Sequence, residues 1–531
     1  MKVLVTDPID DAGINQLREA GHVVETAYDI SGEPLLRAVS DSSALIVRSG
    51  TEVTDAVFDA ASDLVIVGRA GIGVDNIDID AATDHGVIVA NAPDGNVRAA
   101  AEHSVAMAFA EARSIPQAHQ RLKSGEWAKG DYLGTELNGK TLGIVGLGRV
   151  GQEVAKRLDG LGMNLVAYDP YISEERADRL GAEMVGFEAC LNQADFLTVH
   201  TPLTPETEGM IAEDELEMLE GGYLINCARG GVVDETALAA AVDEGTLAGA
   251  AVDVFANEPI PASHPLLDVE NVVVTPHLGA STEAAQESVA ISVANQVQAA
   301  FNGEPVVNAL NAPSVDESVF PRIRPYVDLA ETAGKVAAQL LDGRISGVEV
   351  TYEGNIAQED IELVTASALK GVFDPLEWQV NAVNAPQIAE DRGIDVTESK
   401  RMQSDDFQSL ISVKVGDDHE SVEISGTLFT GNEQRIVRIN KYRVDAVPHG
   451  KMLVARNDDK PGVIGFIGSV LGEHDINIAG MFNARRDEAG GEALTIYNLD
   501  DPVPDDVVET ILDDERMINV KYLTLNGEDP S

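Results

Sequence analysis

The chain has 531 residues, 44% of them hydrophobic, which is too long for a single core and predicts three or four separately packed units. Its 90 acidic residues outnumber 37 basic ones for a formal net charge of −53, and a surface of that sign repels nucleic acid and anionic membranes, excluding both as partners. The acid is spread along a chain apolar enough to fold, and lysine is scarcer than arginine, a pattern resembling proteins of a salt-rich (halophilic) cytoplasm where screening suppresses self-repulsion.

Residues 2–6, 22–25, 44–48, 64–68 and 87–90 are short apolar runs separated by helical patterns, which predicts a doubly wound α/β unit. No signal-peptide core precedes the first strand and no apolar run reaches about 18 residues, so a cytoplasmic protein is expected. Three of the predicted strand ends are polar: Arg48-Ser49-Gly50, Arg69-Ala70-Gly71-Ile72-Gly73, and the stretch 91–98. In open α/β sheets ligands gather at the carboxyl ends of the strands, and a guanidinium fork matches carboxylate and phosphate oxygens. Arg48 and Arg69 therefore predict a small anion pocket.

A long helical stretch, 97–140, leads into the segment around which the chain is organised, KTLGIVGLGRVGQEVAKRLDGLGMNLVAYDP at 140–170. It reads as strand 142–145, a glycine-rich turn, a helix and strand 165–168, with Asp169 standing 18 residues beyond Gly151. Gly146 permits the tight turn, Gly148 lets backbone approach a pyrophosphate, and Gly151 lets the helix pack on the strands. A carboxylate at Asp169 accepts ribose hydroxyls and repels a 2′-phosphate, so NAD is expected rather than NADP.

Further strands follow at 196–200, 223–226, 250–254 and 272–275, and a helix over 282–301 is long enough to return the chain to the first unit. A two-lobed enzyme with a cleft between the lobes is the expectation. Hydride abstraction from a secondary alcohol needs a base for the hydroxyl proton, a cation for the adjacent carboxylate and a nicotinamide acceptor. His277 suits the base, Glu258 would stabilise its protonated form, and Arg229 suits the carboxylate clamp. The two cysteines, Cys190 and Cys227, form no CxxC pair, so neither a disulfide framework nor a zinc site is expected, and no metal is implied.

The segments VGRAGIGVDNID, GLGRVG, NCARGGVVDE, DVFANEP and PHLGAST occur in order and resemble the signatures of the D-isomer-specific 2-hydroxyacid dehydrogenases over about residues 40–310. The resemblance implies that His277 is the acid/base, Glu258 its partner and Arg229 the substrate-orienting arginine. It also implies that Arg149, Val150, Asp169, Thr201, Cys227, Ala228, Arg229, Asp253, His277, Leu278, Gly279 and Ala280 line an NAD site. By the same resemblance Arg48, Ser49, Arg69 and Asn96 hold a phosphorylated substrate, and the implied activity is NAD-dependent oxidation of 3-phosphoglycerate to 3-phosphohydroxypyruvate, the first step of L-serine synthesis. A homodimer or homotetramer is implied as well. Ile72 departs from the pattern, since relatives often carry a threonine there that touches the cofactor. The alternatives are another 2-hydroxyacid dehydrogenase, such as a glycerate or glyoxylate reductase, and a non-enzymatic NAD sensor.

Residues 311–324 read as a linker. Beyond it, 325–445 resumes strands and helices without a catalytic motif, and 409–447 alternates apolar and polar residues as hairpins do. The last segment, with a strand at 451–456, the turn 457–463, a helix over 464–473 and a strand beginning at 476–478, resembles the ACT fold, a small amino-acid-binding regulatory domain. That resemblance implies L-serine as effector, with Asp459 and Asn477 contacting its amino and carboxyl groups, although relatives frequently carry histidine where this chain has Asn457. The layout resembles a long form of the enzyme whose intervening domain is a second effector site. The expected fold is α/β: two doubly wound Rossmann-like lobes, an α/β intervening domain and a ferredoxin-like ACT domain. The expected division is a substrate domain (1–96 and 282–310), an NAD-binding domain (97–281), an intervening domain (315–447) and a regulatory domain (450–526).

Overall fold

The structure is a computed structural model that describes residues 1–315, 319–376, 380–404, 406–417, 419–486 and 491–525. The first sheet contains β1 (Lys2–Val5), β2 (Val23–Thr26), β3 (Ala44–Val47), β4 (Ile66–Arg69) and β5 (Ile88–Asn91), all parallel in the order β2-β1-β3-β4-β5. Both faces are buried, as a parallel sheet requires. Leu4, Leu45, Val47, Val67 and Val89 pack on one side. Val3, Val5, Ile46 and Ile66 pack on the other, against Val289, Val293 and Val297 of the helix Glu283–Phe301. That helix lies so close that a Cβ on Gly68 would fall 2.5 Å from a Val293 methyl and one on Gly13 would fall 2.5 Å from the Ala290 carbonyl. The late helix thus completes the early sheet.

The second sheet is also parallel, with β6 (Thr141–Val145), β7 (Asn164–Tyr168), β8 (Ala182–Met184), β9 (Phe196–Val199), β10 (Tyr223–Asn226), β11 (Gly249–Val252) and β12 (Val272–Val274) in the order β12-β11-β10-β9-β6-β7-β8. The strand order reverses between β6 and β9, and the crevice at such a switch point is where doubly wound sheets bind nucleotides. The helix Val97–Ala112 covers one side of this sheet and contributes Ala101, Met107 and Ala108 to its core.

The third sheet, β13 (Gly347–Gly354), β14 (Asp395–Arg401), β15 (Ser409–Gly416), β16 (Ser421–Phe429), β17 (Glu433–Ile439) and β18 (Tyr442–Ala446), has the order β14-β13-β15-β16-β17-β18 and is antiparallel except for the β13/β14 pair. Helices Phe320–Leu340 and Glu362–Phe373 pack together through Gly334 and Gly371, where a Cβ would approach the Ala368 and Glu331 carbonyls to 2.3 and 1.9 Å. The expected linker 311–324 is therefore shorter than its prolines suggested. Pro321 sits in the first turn of a helix, where no backbone N–H is required.

The fourth sheet is antiparallel: β19 (Lys451–Asp458), β20 (Ile478–Arg485), β21 (Glu492–Leu499) and β22 (Met517–Thr524), in the order β20-β21-β19-β22. With helices Val463–Glu473 and Asp505–Leu512 it forms a βαββαβ unit of ferredoxin-like order. Among the described residues no helix is long and apolar enough to cross a membrane.

Candidate active site

A cleft of about 830 Å³ separates the first two sheets, and the carboxyl ends of β1, β3, β4, β9, β10 and β11 open onto it. Arg48, Ser49, Arg69, Asn96, Arg149, Val150, Thr201, Cys227, Ala228, Arg229, Glu258, His277, Gly279 and Ala280 all line it. They share one cleft because parallel strands present their carboxyl ends along a common margin.

Arg48 is placed by its own backbone. Its N–H donates to Asp7 Oδ2 at 2.6 Å and its carbonyl accepts from Asn76 Nδ2 at 2.8 Å. The same two side chains bond the Thr51 N–H and carbonyl at 3.2 and 2.6 Å, so the loop after β3 is held at both ends. Arg69 is more buried, and its Nε has no hydrogen-bond partner among the described residues. Burial lowers its pKa to about 10, and repulsion from Arg229 and Arg48 adds to the effect. Three guanidinium groups thus converge on one cleft, where Asp75 and Asp7 offset only part of the effect on Arg69, an arrangement that suits an anion.

The glycines of the turn after β4 have a specific purpose. A Cβ on Gly71 would lie 1.5 Å from Arg69 Nη1, and one on Gly73 would lie 2.2 Å from Arg229 Nη2. Each glycine leaves room for a guanidinium. Arg229 donates from Nη1 to the Ala228 carbonyl at 2.7 Å and meets Asp75 of the opposite lobe through Nε at 3.4 Å.

His277 Nδ1 lies 2.7 Å from Glu258 Oε2, and Glu258 Oε1 accepts the Phe255 N–H at 2.9 Å. Burial disfavours the Glu258 charge, but the bonds from His277 and Phe255 outweigh it and hold the carboxyl below its usual range. His277 itself is in the left-handed region at φ 54°. That strained turn is retained because Asp253 grips it: the Asp253 carbonyl accepts the His277 N–H, and its carboxylate accepts the Leu278 and Gly279 N–H groups, all at 2.8 Å. Asp253 is fully buried and is not among the cleft-lining residues, nor is Leu278. His103 lies 3.1 Å from the Asp253 carboxylate. Burial opposes the Asp253 charge, but bonds from His103, Thr275 and Leu278 keep its pKa lowered.

On the nucleotide side, Gly146 adopts φ +92°, and a Cβ on Gly151 would fall 2.2 Å from the Gly146 carbonyl, so both positions demand glycine for packing. Gly148 differs, since no atom of the described residues lies within 4 Å of where its Cβ would be. The open space above Gly148 and the buried Thr201 hydroxyl, which has no hydrogen-bond partner among the described residues, suit a phosphate-bearing ligand at the amino end of the helix Arg149–Asp159. Asp169 stands beside this turn and accepts the Leu147 N–H at 2.8 Å and the Tyr171 N–H at 2.9 Å, leaving lone-pair capacity for a ribose hydroxyl. The residues present fit NAD. Arg149 pairs with Asp94 at 3.2 Å, and the Cys227 thiol is kept protonated by burial and by the nearby Asp253 charge. Ile72 lines the cleft without a hydroxyl to offer.

A family model described as the D-isomer specific 2-hydroxyacid dehydrogenase NAD binding domain matches residues 105–279, and a model of the D-3-phosphoglycerate dehydrogenase intervening domain matches residues 322–440. The D-3-phosphoglycerate dehydrogenase of Archaeoglobus fulgidus is 44% identical over 528 residues, covering 99% of this chain and 100% of that protein. The Bacillus subtilis protein of the same name is 41% identical over 527 residues, 99% of each. The chain belongs to the D-3-phosphoglycerate dehydrogenase family. Among solved structures it resembles the NAD-dependent formate dehydrogenase from Staphylococcus aureus in complex with NAD, at 30% identity and a TM-score of 0.54 over 59% of this chain and 100% of that one. As a member of the D-3-phosphoglycerate dehydrogenases it is an NAD-dependent oxidoreductase, which displaces the non-enzymatic sensor considered above.

Several residues that shape this site escape a linear reading. Asp7 directly follows the first predicted strand and Asp75 and Asn76 lie inside the VDNID segment, so each had a positional signal; His103, in the middle of a helix, had none. Far from the cleft, Asp459 pairs with Arg485 at 2.8 Å and Asn477 donates to Asp500 at 2.5 Å.

Proposed function

We propose that the chain oxidises 3-phosphoglycerate to 3-phosphohydroxypyruvate, the first step of L-serine synthesis. The observation that carries this reading is the convergence of Arg48, Arg69 and Arg229 beside the His277–Glu258 pair, a site with cations for two anionic groups and a base between them. NAD, when bound, supplies the hydride acceptor. Arg229 holds the substrate carboxylate, while Arg48 and Arg69, with Ser49 and Asn96, hold the phosphate. Glu258 engages His277 at Nδ1, which leaves Nε2 to accept the C2 hydroxyl proton as the carbonyl forms. The ionised Glu258 then stabilises the imidazolium. Thr201, Cys227, Ala228, Gly279 and Ala280 bound the nicotinamide side, and Asp253 acts from behind by holding the turn.

The sheets support a substrate domain (1–96 and 282–310), an NAD domain (97–281), an intervening domain (315–447) and an ACT-type regulatory domain (450–526). L-serine is the proposed effector of the last, near Asp459 and Asn477, in a cytoplasmic homodimer or homotetramer.

The test is NADH formation in molar potassium chloride with 3-phosphoglycerate or D-glycerate, each with and without L-serine. Turnover of the phosphorylated acid alone is expected; equal use of D-glycerate overturns the phosphate assignment. His277→Ala is expected to lower turnover by about 100- to 10,000-fold with NADH affinity unchanged, and near-native turnover would remove His277 from its role.

A further inference from the structure

The two acids whose charge reaches Arg69, Asp7 and Asp75, differ in kind. Asp7 is 7% exposed and its carboxylate is committed to the Arg48 and Thr51 N–H groups, so it is part of the frame. The Asp75 side chain is 58% exposed and reaches across the cleft to Arg229 Nε at 3.4 Å, longer than a charge-assisted hydrogen bond.

The geometry at Arg229 makes this contact significant. Nη1 is taken by the Ala228 carbonyl, and Nη2 lies against Gly73, which has no side chain to block it. What remains for a bidentate carboxylate is the Nε/Nη2 side of the fork, and Asp75 sits at its Nε. We infer that Asp75 is an internal counter-anion that competes with the substrate carboxylate for Arg229. It screens the arginine cluster while the cleft is empty, yields when an anionic substrate arrives, and returns to help expel a product that carries the same carboxylate. The weak, solvent-exposed geometry suits this use, because a short buried pair would be too costly to displace. This inference rests on the reading that Arg229 holds the substrate carboxylate.

The test compares two ligands that the enzyme cannot oxidise at a carbon next to a carboxylate: 2-phosphoglycolate, which carries phosphate and carboxylate, and glycerol 1-phosphate, which carries phosphate alone. Binding is measured by calorimetry on the full chain with NADH present. Asp75→Asn is expected to tighten phosphoglycolate roughly threefold while changing glycerol phosphate less, and Asp75→Glu, which restores the charge, to return most of the difference. In turnover, Asp75→Asn should lower KM for 3-phosphoglycerate and lower kcat as product release slows. Unchanged or weakened phosphoglycolate binding overturns the proposal, and so does an equal gain for both ligands, which would indicate a general change in field. Arg229→Met separates the underlying reading: if it leaves the preference for phosphoglycolate intact, Arg229 is not the carboxylate clamp at all.

Discussion

Replacing Gly73 by alanine probes the proposed Arg229 clamp without touching a charged group. The new Cβ would lie 2.2 Å from Arg229 Nη2, 2.9 Å from Cζ and 3.0 Å from Nε. An ordinary contact is about 3.5 Å, so the guanidinium must retreat by about 1 Å. Gly73 is outside the left-handed region, hence alanine strains no backbone, and the displaced group is the far end of a flexible side chain. Folding should therefore survive while the clamp moves. A displacement of about 1 Å at a positioning group costs on the order of 100-fold, or about 2.7 kcal/mol of transition-state stabilisation. We expect kcat/KM for 3-phosphoglycerate to fall by about that factor in steady-state assays, with the melting temperature and NADH affinity close to native. Native kcat/KM would refute the reasoning, because a substrate clamp displaced this far cannot remain functional. Gly73→Ala and Asp75→Asn act on one guanidinium with opposite expected effects on substrate affinity, so the pair is more informative than either alone.

Two further predictions concern the nucleotide lobe. Gly148→Ala places a methyl in open space and should leave stability native while weakening NADH binding at least about tenfold; Gly151→Ala, whose Cβ meets the Gly146 carbonyl at 2.2 Å, should cost roughly 1–3 kcal/mol of stability as well. If fluorescence titration shows native NADH affinity in Gly148→Ala, the phosphates do not approach this turn. Glu111 is 5% exposed in the helix Val97–Ala112, and burial raises its carboxyl pKa to about 8 against a weaker opposing bond from the Val273 backbone. The folded state then keeps a proton that the unfolded chain loses near pH 4.5, so stability from this group is full below that value and is lost as pH rises toward 8, by up to about 1.4 kcal/mol per pH unit. Glu111→Gln should flatten this decline in denaturant melts between pH 5 and 8 at high salt; an unchanged slope would mean that another group carries it.

The dinucleotide unit was legible in the linear order of residues because its parts are local. A strand, three glycines at fixed spacing, an amphipathic helix and a terminal acid are all set within about thirty residues by backbone sterics and periodicity. The candidate catalytic residues could be picked out for a related reason: parallel strands bring their carboxyl ends to one margin, so polar residues following apolar runs converge whatever lies between them. What the sequence could not determine depends on how the lobes face one another. Asp75 and Arg229 are separated by more than a hundred and fifty residues and meet across the cleft, and Gly71 and Gly73 owe their identity to the guanidinium groups that fill the space above them. Asp253, assigned by family resemblance to the cofactor site, lies fully buried and holds the strained turn of His277, with His103 of the helix Val97–Ala112 supplying part of the hydrogen bonding. Residue type and spacing specify which groups occupy a strand end; only the packed tertiary structure decides which of them reaches solvent, which is buried as support, and which faces its partner.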